Sequence, residues 1–185
     1  MKAYFLNDDG TPNQERVNEL HLEAGRWVGT PFVANSSVRG AGVDCVHLAA
    51  ALYIVTGALR EFHPPNYAID GGQHEGKSRV IAWLESNERF ARIELGLGPD
   101  RPKAELPACL APGDALCFKF GMSEHHAGVM LHGHYFIHAP VRRKVVIGTL
   151  SDPVYLRCLT TVFRPVVPDT SDRANAELQT PEAKG

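Results

Sequence analysis

The stretch GVDCVHLAAALYIVTG, residues 42–57, decides how this chain is read. A glycine and an aspartate precede one cysteine, and an almost wholly apolar run follows. Asp44 is a natural N-cap, because its short carboxylate can accept the first free N–H groups of a helix. Gly57 is a natural stop. The spacing therefore predicts a helix over 45–56. Its apolar residues cover every face, so it is expected to be central and buried. Cys45 then stands at the mouth of a core helix, where unsatisfied N–H groups and the positive end of the macrodipole gather.

That position favours a thiolate, and the same N–H groups suit a developing oxyanion. Asp44 works against ionisation, since a neighbouring negative charge raises a thiol pKa. A close histidine would have to outweigh it, as in a Cys–His pair. Such histidines are sought downstream.

Upstream, QERVNELHLEAGRWV carries Val17, Leu20, Ala24 and Val28 at helical spacing, with Glu15, Arg16, Glu19 and Glu23 mostly on the opposite side. A helix over 14–28 follows, ended by Gly29 and Pro31. TPFVANSSVRGAGVD reads as a loop delivering the chain to Cys45. Residues 60–110 differ in texture: a proline-bearing connection, a helix around VIAWLES, then loop again. This block is expected to be a family-variable insertion shaping one side of a cleft. From Asp114 onward ALCFKF, HAGVMLH, HYFIHAP, KVVIGTL and LTTVFRP read as short strands separated by turn formers. Helices first and antiparallel strands after them make an α+β class. One domain over 1–165 and a polar, mobile tail over 166–185 complete the division.

In a strand, alternate residues share a face. His126, Gly128 and Met130 share one; His134, Phe136 and His138 share one on the next strand. A hairpin turning at Gly133 would bring His126 and His138 side by side. One imidazole can then serve the thiol while the other orients the first, which is the logic of nucleophile, base and orienter. The remaining histidines, out of nine in the chain, are read mostly as surface or connector residues, and His47 as part of the helix interior.

The chain has 185 residues, 44% of them hydrophobic and 22% charged, with a formal net charge of -2. No basic stripe points to nucleic acid, and no apolar run is long enough to suggest a membrane span. The first residues hold no apolar signal segment, so a cytoplasmic protein as synthesised is expected. Four scattered cysteines, Cys45, Cys109, Cys117 and Cys158, form no disulfide framework and match no zinc spacing. Neither metal nor cofactor is called for.

These residues together resemble the NlpC-type cysteine peptidases, a papain-like group. GTPFVANSSVRGAGVDCVHLAAALY is similar to that family's Gly-Thr-Pro-aromatic segment, small-residue loop and Asp-Cys helix start. PGDALCFKF, HHAGVML and HYFIHAP are similar to its second half, and the likeness covers roughly residues 15–165. The resemblance implies a helical half packed on a small antiparallel sheet. It implies Cys45 as nucleophile, His126 as base and His138 as the residue that orients it, with Phe32, Asp44, His47 and His125 lining the substrate site. The implied reaction is amide hydrolysis through a thioester, and the implied substrate is the stem peptide of bacterial peptidoglycan. The middle block is similar to that of phage-type members, which implies phage tail proteins as partners and a virion-associated or released protein.

Two departures stand out. Phe32 occupies the position where the family usually carries Tyr, so one hydroxyl near the nucleophile is missing. His47 stands where a small residue is common. Two alternatives therefore accompany the peptidase reading. One is an acyltransferase, or an amidase acting on another substrate. The other is a non-catalytic phage-tail component.

Overall fold

The computed structural model describes residues 1–62, 79–95, 109–120 and 123–168. The helices come first in the chain. Helix α1, Gln14–Trp27, starts at Asn13, whose side chain accepts the Arg16 N–H at 3.1 Å. It buries Val17, Leu20, Ala24 and Trp27. Val28, expected in that stripe, is exposed, and Trp27 takes its place. Glu23, expected to face outward, is also buried. Its carboxylate accepts from Trp27 Nε1 at 2.9 Å and from Arg26 at 3.0 Å, and it pairs with Arg39 at 3.1 Å. Arg39 thereby ties the loop before Cys45 to this helix.

Helix α2, Cys45–Val55, begins and ends where its flanks predict. Asp44 caps it, Thr56 closes it, and Gly57 takes φ 74°, the left-handed conformation that a helix stop needs and that glycine adopts without strain. Burial is not complete: Ile54 and Val55 in the last turn are exposed. Helix α3, Arg79–Ser86, lies within the residue 60–110 block.

The strands form one curled antiparallel sheet in the order β1-β9-β5-β6-β7-β8, with β4 also paired to β9. They are β1 Lys2–Ala3, β4 Phe90–Ile93, β5 Ala115–Phe120, β6 Ser123–His132, β7 Tyr135–His138, β8 Val146–Thr149 and β9 Leu159–Val167. A separate two-stranded ribbon, β2 Ser37–Val38 and β3 Gly42–Val43, lies in the segment read from sequence as loop. Helix α4, Pro153–Cys158, precedes β9 and was not foreseen. Strand β9 runs to Val167, two residues into the expected tail, and residues 169–185 lie outside the described residues. Much of the 60–110 block, residues 63–78 and 96–108, also lies outside them.

Period-two alternation sorts the sheet into two cores. Ala115, Cys117, Ala127, Val129 and Ile137 join α1 and α2 in the larger one. Leu116, Phe118, Met130 and Phe136 form the smaller one with Leu150, Leu159 and Val162. Among the described residues no helix is long and apolar enough to cross a membrane.

Candidate active site

The site begins with the cap of α2. Asp44 is fully buried. Its carboxylate accepts the N–H groups of Val46 at 3.0 Å and His47 at 2.9 Å, and the N–H of Asn35 at 2.7 Å. The His47 ring adds a further contact, Nδ1 lying 2.8 Å from Oδ2. The cap thus consumes two N–H groups that sequence reasoning had offered to an oxyanion. His47 spends its ring on the cap and on an edge-to-face contact with Phe62 at 5.7 Å. Phe32 is half-buried against the main core; its N–H donates to the Arg143 carbonyl at 2.7 Å, and its backbone bridges to Val43.

Cys45 follows the cap and is 6% exposed. Its sulfur meets strand β6 at a defined place. Met130 gives its N–H to the Asp114 carbonyl and takes the Gly113 N–H, both at 2.8 Å. Alternate residues of a strand turn their backbone groups the same way. Gly128 and His126 therefore turn toward β5, and Ala127 toward the β7 side. Strand β7 ends at His138, opposite Gly128. Ala127 lies past that end, and there its backbone hydrogen-bonds to Cys45. The thiol thus sits in the gap that the short β7 leaves, one residue along β6 from His126.

His126 and His138 are brought together as the strand period requires. His138 pairs with Gly128, so His126 is its diagonal neighbour on the same face. Gly128 makes room: a Cβ there would come within 2.8 Å of the Phe136 ring. The result is a hydrogen bond of 2.7 Å between His126 Nε2 and His138 Nδ1. That bond leaves Nδ1 of His126 uncommitted by it. His138 is buried, 1% exposed, and its Nε2 lies 3.4 Å from the Tyr155 hydroxyl.

Burial dominates the electrostatics. It pushes the Cys45 thiol up to about 12, with Asp44 adding to the rise and backbone bonds from Ala127, Cys45 and Val46 opposing it. It pushes His126 down to about 3, the neighbouring His138 contributing, and His138 down to about 4. The sequence expectation of a thiolate favoured by the helix start is therefore reversed. A helix dipole offers partial charges, whereas removing a full charge from water costs more. Burial thus favours the neutral thiol at Cys45 and neutral imidazoles at His126 and His138.

His125 is the extra residue of a β-bulge, where pairing steps from Phe118↔His126 to Lys119↔Glu124. Its side chain lies outside the described residues. Sequence reasoning missed the aromatic wall behind the histidines. Tyr155 packs against His138 and Phe136 at 5.1 Å, and Phe120, partly exposed, lies 5.8 Å from His126. A signal for α4 was present in Asp152-Pro153, an N-cap followed by proline at the first helical position.

No family model matches the chain, and no curated protein matches it. Among solved structures it is similar to a lipoprotein-like protein of the NLP/P60 family from Staphylococcus aureus subsp. aureus Mu50. The TM-score is 0.54 and the identity 19%, over 90% of this chain and 44% of that one. It is similar also to an NlpC/P60 family protein from Bacillus cereus ATCC 10987, with TM-score 0.49 and 18% identity over 79% of this chain and 39% of that one. A third is the NlpC/p60 domain of the peptidoglycan hydrolase SagA, with TM-score 0.46 and 19% identity over 82% of this chain and 98% of that one. This chain spans less than half the length of the first two proteins. The first of these likenesses gives the fold.

Proposed function

We propose that this chain, which has the NlpC/P60 fold, is a cysteine-dependent hydrolase that cleaves an amide bond in bacterial cell-wall peptide. The observation that carries the reading is the His126–His138 pair at 2.7 Å, on the strand whose next residue hydrogen-bonds the Cys45 sulfur. The fold supports it, since the structure matched at a TM-score of 0.54 is that of an NLP/P60 family protein.

In this reading Cys45 and His126 act together and not as a preformed ion pair. Sγ attacks the amide carbonyl while its proton passes to His126 Nδ1. The sulfur–carbon bond forms, and the tetrahedral intermediate collapses as His126 hands that proton to the leaving amine. The carbon–nitrogen bond breaks and a thioester remains. Water then gives a proton to His126 and attacks the thioester; the carboxylic acid leaves, and the proton returns to sulfur. His138 holds the His126 ring through Nε2 and supports its charge when it is protonated. Asp44, being fully buried, serves by holding the start of α2. Phe32, whose backbone bridges to Val43, and His47, held to Asp44, are the residues through which substrate preference would differ from that of family members carrying Tyr and a small residue there.

The test is hydrolysis of purified peptidoglycan and of synthetic stem peptides, followed by mass spectrometry of the fragments. Cys45→Ala is expected to remove all cleavage while leaving the melting temperature close to that of the parent. Full cleavage by Cys45→Ala would overturn the reading. Cleavage products that appear only when an amine acceptor is added would replace hydrolysis with acyl transfer.

A further inference from the structure

We propose that Tyr155 is a positioning residue of this site: its phenol oxygen accepts a hydrogen bond from His138 Nε2–H and so holds His138 in the tautomer that His126 needs. This rests on the reading of Cys45 and His126 given above.

The geometry is a chain of three groups. His126 Nε2 meets His138 Nδ1 at 2.7 Å, and His138 Nε2 meets the Tyr155 hydroxyl at 3.4 Å. His138 is 1% exposed, so both ring nitrogens need protein partners, and among the described residues Tyr155 is the one at Nε2. Strand β8 leaves that approach open at Gly148, where a Cβ would stand 3.1 Å from Nε2 and 2.7 Å from the Phe136 ring. The phenol reaches in from α4 instead. Its ring is held edge-on by Phe136 and His138 at 5.1 Å and by Phe118 at 5.9 Å.

The direction of the bonds follows from the chemistry. A neutral imidazole carries one proton, so the tautomer of one histidine sets that of the next. If Tyr155 donated to Nε2, His138 would carry its proton on Nδ1 and donate it to His126. His126 would then have its own proton on Nδ1, the atom needed to accept from the thiol. If Tyr155 accepts instead, His138 Nδ1 is bare. It takes the His126 Nε2–H, and His126 Nδ1 is ready to act as base. When His126 becomes imidazolium, both its nitrogens donate, and only this tautomer of His138 offers Nε2–H an acceptor. Tyr155 is half-buried, so its own O–H can still donate to water. Asp152 and Arg143 are the charged groups near it, and burial keeps the phenol protonated.

The test uses the full chain, with Tyr155→Phe, which keeps the ring packing and removes the oxygen. Two readouts are taken. Nitrogen-15 NMR of the wild type reads the His138 tautomer, and iodoacetamide alkylation of Cys45 at pH 7 reads the readiness of His126. The expected results are a proton on His138 Nε2 in the wild type and a fall in alkylation rate of about 10-fold in Tyr155→Phe, the worth of one hydrogen bond to a developing charge. The melting temperature should change little. A wild-type proton on His138 Nδ1 overturns the proposal, and needs no folded variant. An unchanged rate in Tyr155→Phe, with His126→Ala still slow, overturns it while leaving the hydrolase reading intact. If the wild-type rate does not depend on His126, the hydrolase reading fails, and the tautomer alone decides the role of Tyr155.

Discussion

Replacing His126 with alanine should change the shape of the pH dependence of Cys45 alkylation, and not only its size. Burial pushes the thiol up to about 12 and the imidazolium down to about 3. Between those limits the pair holds one proton. The forms thiol–imidazole and thiolate–imidazolium contain the same number of protons, so their ratio does not vary with pH. Thiolate is the reactive species. The wild-type rate should therefore be nearly flat over the pH range in which the ion pair supplies more thiolate than loss of the proton to solvent does, and should climb about tenfold per unit only above that range. In His126→Ala the proton must leave to solvent. The rate should then climb about tenfold per pH unit below the thiol pKa, or about 1000-fold between pH 6 and 9. Timed alkylation with iodoacetamide, quenched and read by peptide mass spectrometry, resolves Cys45 from the exposed Cys109 in the same sample. A wild-type profile that also climbs tenfold per unit and superimposes on that of the variant would show that His126 does not serve the thiol.

Three further outcomes follow from the same site. Asp44→Ala removes an N-cap and takes the carboxylate away from the N–H of Asn35 and the ring of His47, so urea unfolding should show a loss of about 2 kcal/mol; a loss under 0.5 kcal/mol would refute the account of the cap. Asp44→Asn should lose less and should also speed Cys45 alkylation at pH 9, because the charge that raises the thiol is gone. Stability should fall on mild acidification. The folded pKa values of His126 and His138 are depressed to about 3 and about 4, against about 6.5 in an unfolded chain. Below pH 6.5 the unfolded state binds protons that the folded state refuses. Stability is then complete above that pH and is lost as pH falls toward the folded values, by about 1.4 kcal/mol per unit for each ring. Urea midpoints between pH 7.5 and 5.5 should fall in the wild type and fall about half as steeply in His138→Gln. Equal slopes would mean that His138 titrates normally.

The elements legible from sequence were those whose signals are local. Helix α2 carries its cap and stop within its own flanks, and β5 through β9 alternate or run apolar between turn formers. The missed elements have no such signal. Ribbon β2–β3 is four residues in a Ser- and Gly-rich stretch, held by pairing across a short turn. Strand β4, Phe-Ala-Arg-Ile, exists because β9 lies beside it some 70 residues later in the chain. Helix α4 has six residues, too few for a periodic pattern to emerge. Glu23 was placed outward because charge normally stays in water, yet two arginines and an indole converge on it.

What the sequence determined by itself is the placement of each reactive group within its own element. Asp44 stops the chain from being helical one residue before Cys45, and a two-residue period puts His126 and His138 on one face of their hairpin. Those follow from backbone geometry, which acts over a few residues. The balance of protons at the site was decided only by the tertiary structure. Whether a thiol at a helix start is ionised depends on how much water it has lost, and that depends on helices and strands far apart in the chain. The packing that buries Cys45 and His138 and half-buries His126 outweighs the helix start and favours the neutral form of all three. It also brings Tyr155 to the far side of His138, from a helix that the sequence marked only by an aspartate and a proline.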